Sequence, residues 1–347
     1  MIKFSQPPKS ICIFRLSAIG DVTHILPVIH SLKKVWPECK ITWVIGKLEY
    51  QLVKKLPGVE FIQFDKSKGW AAYRTLLQQL NNQTFDVLLM MQAALRASIA
   101  SLFISARYKL GFDKARAVDC QWLFSNQKIT GKAQIHVMDT FFQFLEALGI
   151  NERSDSWDLP IDTSDLLFAE QLTQNAPTVV INPCSSARKN NWRNWSIERY
   201  AEVCDYLHQK GIQVLITGGP SETEKVFCQT IVEQCKSNPK NLAGHTSLGQ
   251  LLALLKSARF LVAPDTGPAH MATIVDTPVI GLYASSNPLR SGPYKSQSVL
   301  VNRYPTALQQ FKHKTVSDAA WGERVRDPQV MNLISVDDVK TAIDSLL

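Results

Sequence analysis

Long apolar runs are missing from this 347-residue sequence: Val87 to Met91 stops at Gln92, with Arg96 close behind, far short of the ~18 to 20 residues that a spanning helix requires. A membrane-crossing helix is therefore not expected. The opening residues, MIKFSQPPKSICIF, carry lysines and two prolines and no long apolar centre, so the expectation is a chain that remains in the cytoplasm. The seven cysteines are odd in number and include no CxxC pair, which excludes a disulfide framework and points to reduced thiols. Seven histidines form no HxH or HExxH cluster, and no DxD pair occurs, so no metal site is expected. Gly20 stands alone where a dinucleotide fingerprint would need three glycines, and no GxxxxGK[ST] occurs anywhere, which weakens both the NAD and the P-loop readings. Glycine and proline, 16 and 17 residues, sit near ordinary usage and exclude collagen-like and low-complexity classes.

What is present is an enzyme-sized composition, 45% apolar and 20% charged, long enough for two domains. Acidic residues are scarce in one half. Residues 1–132 carry 19 basic and 8 acidic residues, a surplus of 19 − 8 = 11, whereas residues 133–165 carry 1 basic and 7 acidic. A cationic N-terminal region attracts something anionic: nucleic acid, a phosphorylated small molecule, or a membrane surface. Solvated lysines serving solubility are the plain alternative. Nucleic acid is the least favoured partner, since no helix-turn-helix or RNA-binding signature accompanies the charge.

Apolar, β-branched runs alternate with helical periodicity. Strands are expected at Ser10–Leu16, Lys40–Ile45, Val59–Phe64 and Phe85–Met91, with a helix carried by Ile25, Ile29, Leu32 and Val35 and ended by Pro37. After a polar passage the pattern restarts with strands at Thr178–Asn182, Gln213–Thr217, Phe260–Ala263 and Val279–Tyr283. Helices are expected near Ser196–Gln209, Glu222–Cys235 and Leu248–Ala258, and an amphipathic one over Val336–Leu346. The organisation expected is α/β: Rossmann-like doubly wound domains at 1–165 and 166–330, and a terminal helical segment, 331–347, near their junction. The cleft between two such domains is the default binding site.

Four turns carry chemistry. Ser17-Ala18-Ile19-Gly20-Asp21 follows the first strand, where open α/β sheets place ligands; Asp21 is either a helix cap or a general base. Asn182-Pro183-Cys184-Ser185-Ser186, followed by Arg188, Lys189 and Arg193, has the hydroxyls and cations of a phosphate-binding turn, though such loops are also plain turns. Gly218-Gly219-Pro220-Ser221-Glu222 lets a ligand approach the backbone and places a carboxylate within reach of ribose hydroxyls; a glycine turn with a capped helix is its simpler meaning. Pro264-Asp265-Thr266-Gly267-Pro268-Ala269-His270 gathers a carboxylate, a hydroxyl and a helix N-terminus around one point, suited to a diphosphate or sugar hydroxyls. His270 alone reads as a packed helix residue.

Together these segments resemble the family 9 glycosyltransferases, the ADP-heptose heptosyltransferases of lipopolysaccharide inner-core synthesis. The matching stretches are RLSAIGD at 15–21, the NPCSS loop with Arg193, GGPSE, the GHTSL start at Gly244 with Thr246, and PDTGPAHMA followed by TPVIGLY. YKLGF at 108–112 and NPLRSGPY at 287–294 are similar to the Haemophilus-type heptosyltransferase I branch, whose acceptor is a phosphorylated Kdo on lipid A. The resemblance implies a GT-B fold of two facing Rossmann-like domains, inversion at the transferred carbon, ADP-heptose as co-substrate and no cofactor. It implies Asp21 as base, and donor contacts from Ser185, Ser186, Lys189, Arg193, Gly218, Gly219, Glu222, Thr246, Asp265, Thr266, Gly267 and His270. The acceptor would lie against Ser17, Ala18 and Gly20, with Arg96, Arg107, Lys109, Lys114 and Arg116 as cations for its phosphates at an anionic inner-membrane surface. The loop between Ser186 and Arg193 is longer than the family pattern and adds Arg188 and Lys189, so the cation for the diphosphate stays open. A nucleotide-sugar epimerase and a non-catalytic phosphoglycolipid-binding module are the competing readings.

Overall fold

The computed structural model describes residues 2–186 and 191–347, which divide into two compact units, Met1–Pro160 and Ile161–Leu347. In the first unit six strands, β1 (Ser10–Phe14), β2 (Lys40–Gly46), β3 (Val59–Phe64), β4 (Thr84–Met90), β5 (Ser105–Gly111) and β6 (Gln127–Lys128), form a parallel sheet ordered β3-β2-β1-β4-β5-β6. In the second, β7 (Thr178–Ile181), β8 (Gln213–Ile216), β9 (Lys240–Asn241), β10 (Leu261–Pro264), β11 (Val279–Tyr283) and β12 (Val301–Asn302) repeat the plan as β12-β11-β10-β7-β8-β9. The central strands β7, β10 and β11 are buried at every position, as strands covered by helices on both faces must be. Each sheet reverses its strand order beside its first strand, between β1 and β4 and between β7 and β10. Ligands of doubly wound sheets bind at the carboxyl ends of the strands at such reversals.

Helix starts follow side-chain chemistry. Ser196 and Ser221 accept from the N–H groups of Arg199 (3.4 Å) and Glu224 (3.3 Å), and full capping boxes pair Ser247 with Gln250 and Ser335 with Asp338. The helix expected from Ile25 to Val35 is there, preceded by a separate short helix, Ile19–Thr23. One continuous helix would need an N–H at position 27 to meet the Thr23 carbonyl, and Pro27 has none.

The structure alters three expectations. The first unit ends at Pro160 rather than at 165, because Ile161, Leu166, Phe168 and Leu172 pack with Ala169, Leu215 and Leu254 of the second. Residues 331–347 are no separate segment: helix Val336–Asp344 lies in the second unit's main core, held by Trp195 Nε1 donating to the Ile334 carbonyl (3.0 Å) and by an Arg303–Asp338 ion pair. Strand β5 was not expected. Its sequence, SARYKLG, is too polar in its first half to signal a strand, and it is held by its pairing with β4.

Candidate active site

In the first unit the turn after β1 is held by a partner just past the end of β4. The Gln92 side-chain carbonyl accepts from the N–H groups of Leu16 (2.7 Å) and Ser17 (3.2 Å), and its amide donates to the Ser17 hydroxyl (3.2 Å). Gln92 is fixed in turn by Gln121, which donates to its backbone carbonyl (2.8 Å) and is fully buried. The Ser17–Ala18 peptide in this turn is cis. Asp21 is the third residue of helix Ile19–Thr23, not its cap; its carboxylate reaches back to the Ala18 N–H (3.2 Å) and pairs with the Arg15 guanidinium. Arg15 is 12% exposed, lies over the Phe141 ring and donates to the Met91 carbonyl, while Asp21 is 32% exposed. A buried, thrice-held cation thus presents a carboxylate to solvent at the sheet's carboxyl edge. Gly20 is buried behind it, and Glu49 is buried at the start of the neighbouring helix, its carboxyl pushed up by burial against the pull of Lys66 and Arg15.

The expected acceptor cations separate by position. Arg96, in the first turn of helix Leu95–Ser101 after β4, and Lys114, just past β5, are exposed at this carboxyl edge. Arg107 is not: it is the third residue of β5, about 13 Å back along the strand from Gly111 at ~3.3 Å per residue, and it stacks on Tyr108. Lys109 is committed to the Ser101 carbonyl (3.0 Å), and burial lowers its proton affinity. Arg116 is 10% exposed and spans Asp113, the Lys132 carbonyl and the Gln143 amide. Burial tends to raise the Asp113 carboxyl, but hydrogen bonds and charge from Arg116 outweigh it and hold the group below its usual range. Arg116→Ala is accordingly expected to cost about 2–3 kcal/mol of stability in urea unfolding while leaving ADP affinity unchanged.

In the second unit the turns after β7 and β10 meet at the strand reversal. Asp265, 9% exposed at its side chain, accepts from the Ser286 hydroxyl (2.9 Å) and faces Arg193 Nη1 (3.4 Å), which also donates to the Asp265 carbonyl (2.8 Å). The Thr266 hydroxyl donates to the Cys184 carbonyl (3.3 Å), joining the two turns, and Gly267 begins helix Gly267–Ile274. His270 is buried within that helix. Asn191 and Asn194 shape the loop after β7. Ser185 donates to both (2.7 and 3.1 Å), Asn191 donates to the Ser186 carbonyl (2.8 Å), and Asn191 accepts from the Arg193 N–H (3.1 Å). Arg193 is therefore aimed by its own loop. Lys189 and Arg188 lie outside the described residues.

Gly218 and Gly219 follow β8. A Cβ on Gly218 would come within 3.1 Å of the Cys228 sulfur and 3.2 Å of the Ala243 methyl, so close helix–sheet packing explains that glycine. Glu222 does not turn toward this loop: it is 83% exposed and pairs with Lys225, while Glu224, two residues on, accepts from the Gly219 N–H (2.7 Å). Thr246 is half-buried in the turn after β9, on the same edge. Among the described residues no group of three or more His, Cys, Asp or Glu side chains is arranged to hold a metal ion, and no helix is long and apolar enough to cross a membrane.

Two Rossmann-like units, with an acid held out at one sheet reversal and a cation–carboxylate pair beside a helix N-terminus at the other, are the architecture of the GT-B fold class. The solved structure of a family 9 glycosyl transferase from Veillonella parvula has the same fold, with a TM-score of 0.79 at 23% identity over 97% of each chain. So has the E. coli heptosyltransferase WaaC with ADP, at 0.73 and 19% identity over 97% of this chain and 100% of that one. The chain belongs to glycosyltransferase family 9 (heptosyltransferase), whose model matches residues 73–320. It is 40% identical to the lipopolysaccharide core heptosyltransferase OpsX of Haemophilus influenzae, over 97% of this chain and 96% of that protein.

Proposed function

We propose that this enzyme moves a heptose from ADP-L-glycero-D-manno-heptose to Kdo on lipid A, with a phosphorylated Kdo as the preferred acceptor, in assembly of the lipopolysaccharide core. The observation that carries the reading is the 40% identity with the Haemophilus core heptosyltransferase across nearly the whole of both chains. The geometry around Asp21 and Asp265 supports it. Asp21 takes the proton of the acceptor hydroxyl as its oxygen bonds to the anomeric carbon, and the bond from that carbon to the diphosphate breaks on the opposite side, releasing ADP with inversion. Ser17, Ala18 and Gly20 shape the floor beneath the acceptor, and Arg96 and Lys114 face its phosphates.

Asp265 holds heptose hydroxyls. Arg193, Ser185, Ser186, Thr266 and the Gly267 N–H meet the leaving diphosphate, with Lys189 as a further cation of the same loop. Fixed donors aimed where negative charge develops stabilise the transition state. Glu222, exposed at its helix start and exchanging Lys225 for a ribose hydroxyl, and the Gly218–Gly219 and Thr246 turns receive the nucleoside, and His270 supports the helix beneath the diphosphate. No cofactor is needed, and the positive surplus of residues 1–132 draws the enzyme peripherally to the anionic cytoplasmic face of the inner membrane.

The test is ADP release from ADP-heptose by purified protein with phosphorylated Kdo-lipid A, with unphosphorylated Kdo-lipid A and with no acceptor. Release only with the phosphorylated acceptor, undiminished by excess chelator, is the expected result. Release with a heptosylated core acceptor alone would move the enzyme to a later step, and loss of activity in chelator would reinstate a metal.

A further inference from the structure

Residues 321–326 run alongside the carboxyl edge of the second sheet. Val325 is fully buried and clamps this segment to the loop after β11: its N–H donates to the Ser285 carbonyl (2.9 Å) and its carbonyl accepts the Ser285 hydroxyl (2.8 Å). Ser286, the next residue of that loop, is the donor to Asp265. On either side of Val325, Arg324 and Arg326 are exposed. With Arg290 and Lys312 they line a pocket of about 440 Å³, completed by Gly322 and Glu323. Arg290 lies against Gly322, where a Cβ would stand 3.4 Å from its Nε.

Four cations share this pocket with one carboxylate, and that carboxylate is already engaged. Glu323 accepts from Lys314 (3.1 and 3.3 Å) and from the Ala320 N–H (3.2 Å) and pairs with Lys312 at 4.0 Å, which leaves the three arginines. Among the described residues no carboxylate pairs with Arg290, Arg324 or Arg326. Desolvation at Arg324 lowers its proton affinity, Asp265 opposes this, and the positive charges of Arg193, Arg290 and Arg326 lower it further. Gathered guanidinium groups that outnumber their counter-charges repel one another, and an anion relieves that repulsion. Their planar forks match phosphate oxygens in particular.

The pocket reaches Asp265 through Ser286, whereas the diphosphate turn reaches it through Arg193 and through the Thr266–Cys184 bond. Cationic groups thus connect to the Asp265 carboxylate along two contact paths, and the second set has a cavity large enough for more than a lone ion. We propose that this pocket is a second anion subsite of this unit, distinct from the diphosphate turn, which takes a phosphate group; that the diphosphate turn is the ADP site rests on the reading above.

Saturating ADP fills the diphosphate turn, so inorganic phosphate titrated into the ADP-saturated enzyme reads the second pocket. Binding to the wild type, weakened at least tenfold in Arg324→Ala/Arg326→Ala, with ADP affinity changed less than twofold, is the expected outcome. Arg324→Lys/Arg326→Lys, which keeps the charge, should bind within about threefold of wild type, and Arg290→Ala, on a separate element, should weaken binding by itself. Phosphate that does not bind the ADP-saturated enzyme, or binds the alanine variant equally, overturns the proposal, as does a parallel loss of ADP affinity, which would assign the pocket to the donor. Transfer assays then identify the source: a KM for phosphorylated Kdo-lipid A that rises in the alanine variant assigns the bound group to the acceptor, and an unchanged KM assigns it to free phosphate. Wild-type enzyme inactive on both acceptors would refute the acceptor assignment, while the phosphate titration still decides the pocket.

Discussion

Asp21→Asn is expected to lower kcat at least about a hundredfold while leaving ADP affinity within about twofold, because it removes the group proposed to accept the proton and nothing in the second unit. General-base contributions are typically 10²–10⁴-fold. The substitution is well controlled by the local geometry. Asparagine is the same size, and its side-chain carbonyl can still accept from the Ala18 N–H that Asp21 meets at 3.2 Å. Arg15 loses its ion-pair partner but keeps the Met91 carbonyl and the face of Phe141, so the guanidinium is not stranded. Steady-state rates with both substrates saturating, together with ADP titration and a thermal melt, separate the possibilities. Unchanged turnover in a folded protein would move the base elsewhere; a melt lowered by many degrees would make the Arg15–Asp21 pair a structural tie. Equal losses in turnover and ADP affinity would place Asp21 against the donor.

What the sequence made visible and what it hid follow from how each contact is made. Turns at strand ends are local, so Asp21, Ser185, Asp265 and Gly267 stood out from a few neighbouring residues, and they lie at the carboxyl edges as expected. Partners supplied by other strands did not stand out. Gln92 holds the Ser17 turn from 75 residues away, and Ser286 meets Asp265 from 21 residues on, in stretches with no motif of their own. Glu222 and Glu224 show the finer limit: two residues along a helix rotate a side chain by about 200°, so one acid faces Lys225 and the other the Gly219 N–H. Charge counting fails differently. It registered Arg96, Arg107, Lys109, Lys114 and Arg116 as one cationic cluster. Strand direction sets Arg107 away from the edge, and burial turns Lys109 and Arg116 inward. The Arg324–Arg326 cluster carries no signal in the sequence because its region is nearly balanced in charge, and only folding brings Arg290 and Lys312 beside it.

Arg193→Ala should weaken ADP binding about ten- to a hundredfold, the equivalent of roughly 1.4–2.8 kcal/mol and the range of a hydrogen-bonded charge lost from a partly buried site. Two effects act in the same direction. The diphosphate loses the cation proposed for it, and Asp265, now with Ser286 as its remaining side-chain donor, becomes a less compensated negative charge beside it. Arg193→Lys restores charge without the fork that spans the Asp265 carbonyl and carboxylate, and should recover only part of the loss. Titration calorimetry with ADP measures both variants, and a thermal melt checks that Asn191 and Asn194 still order the loop. An unchanged dissociation constant in a folded Arg193→Ala protein would hand the diphosphate to Arg290, Arg324 and Arg326, and the two sets of variants would then exchange phenotypes. Weak ADP binding from loss of Arg193 and weak phosphate binding from loss of Arg324 and Arg326, each without the other, is the pattern that two separate anion sites flanking Asp265 require.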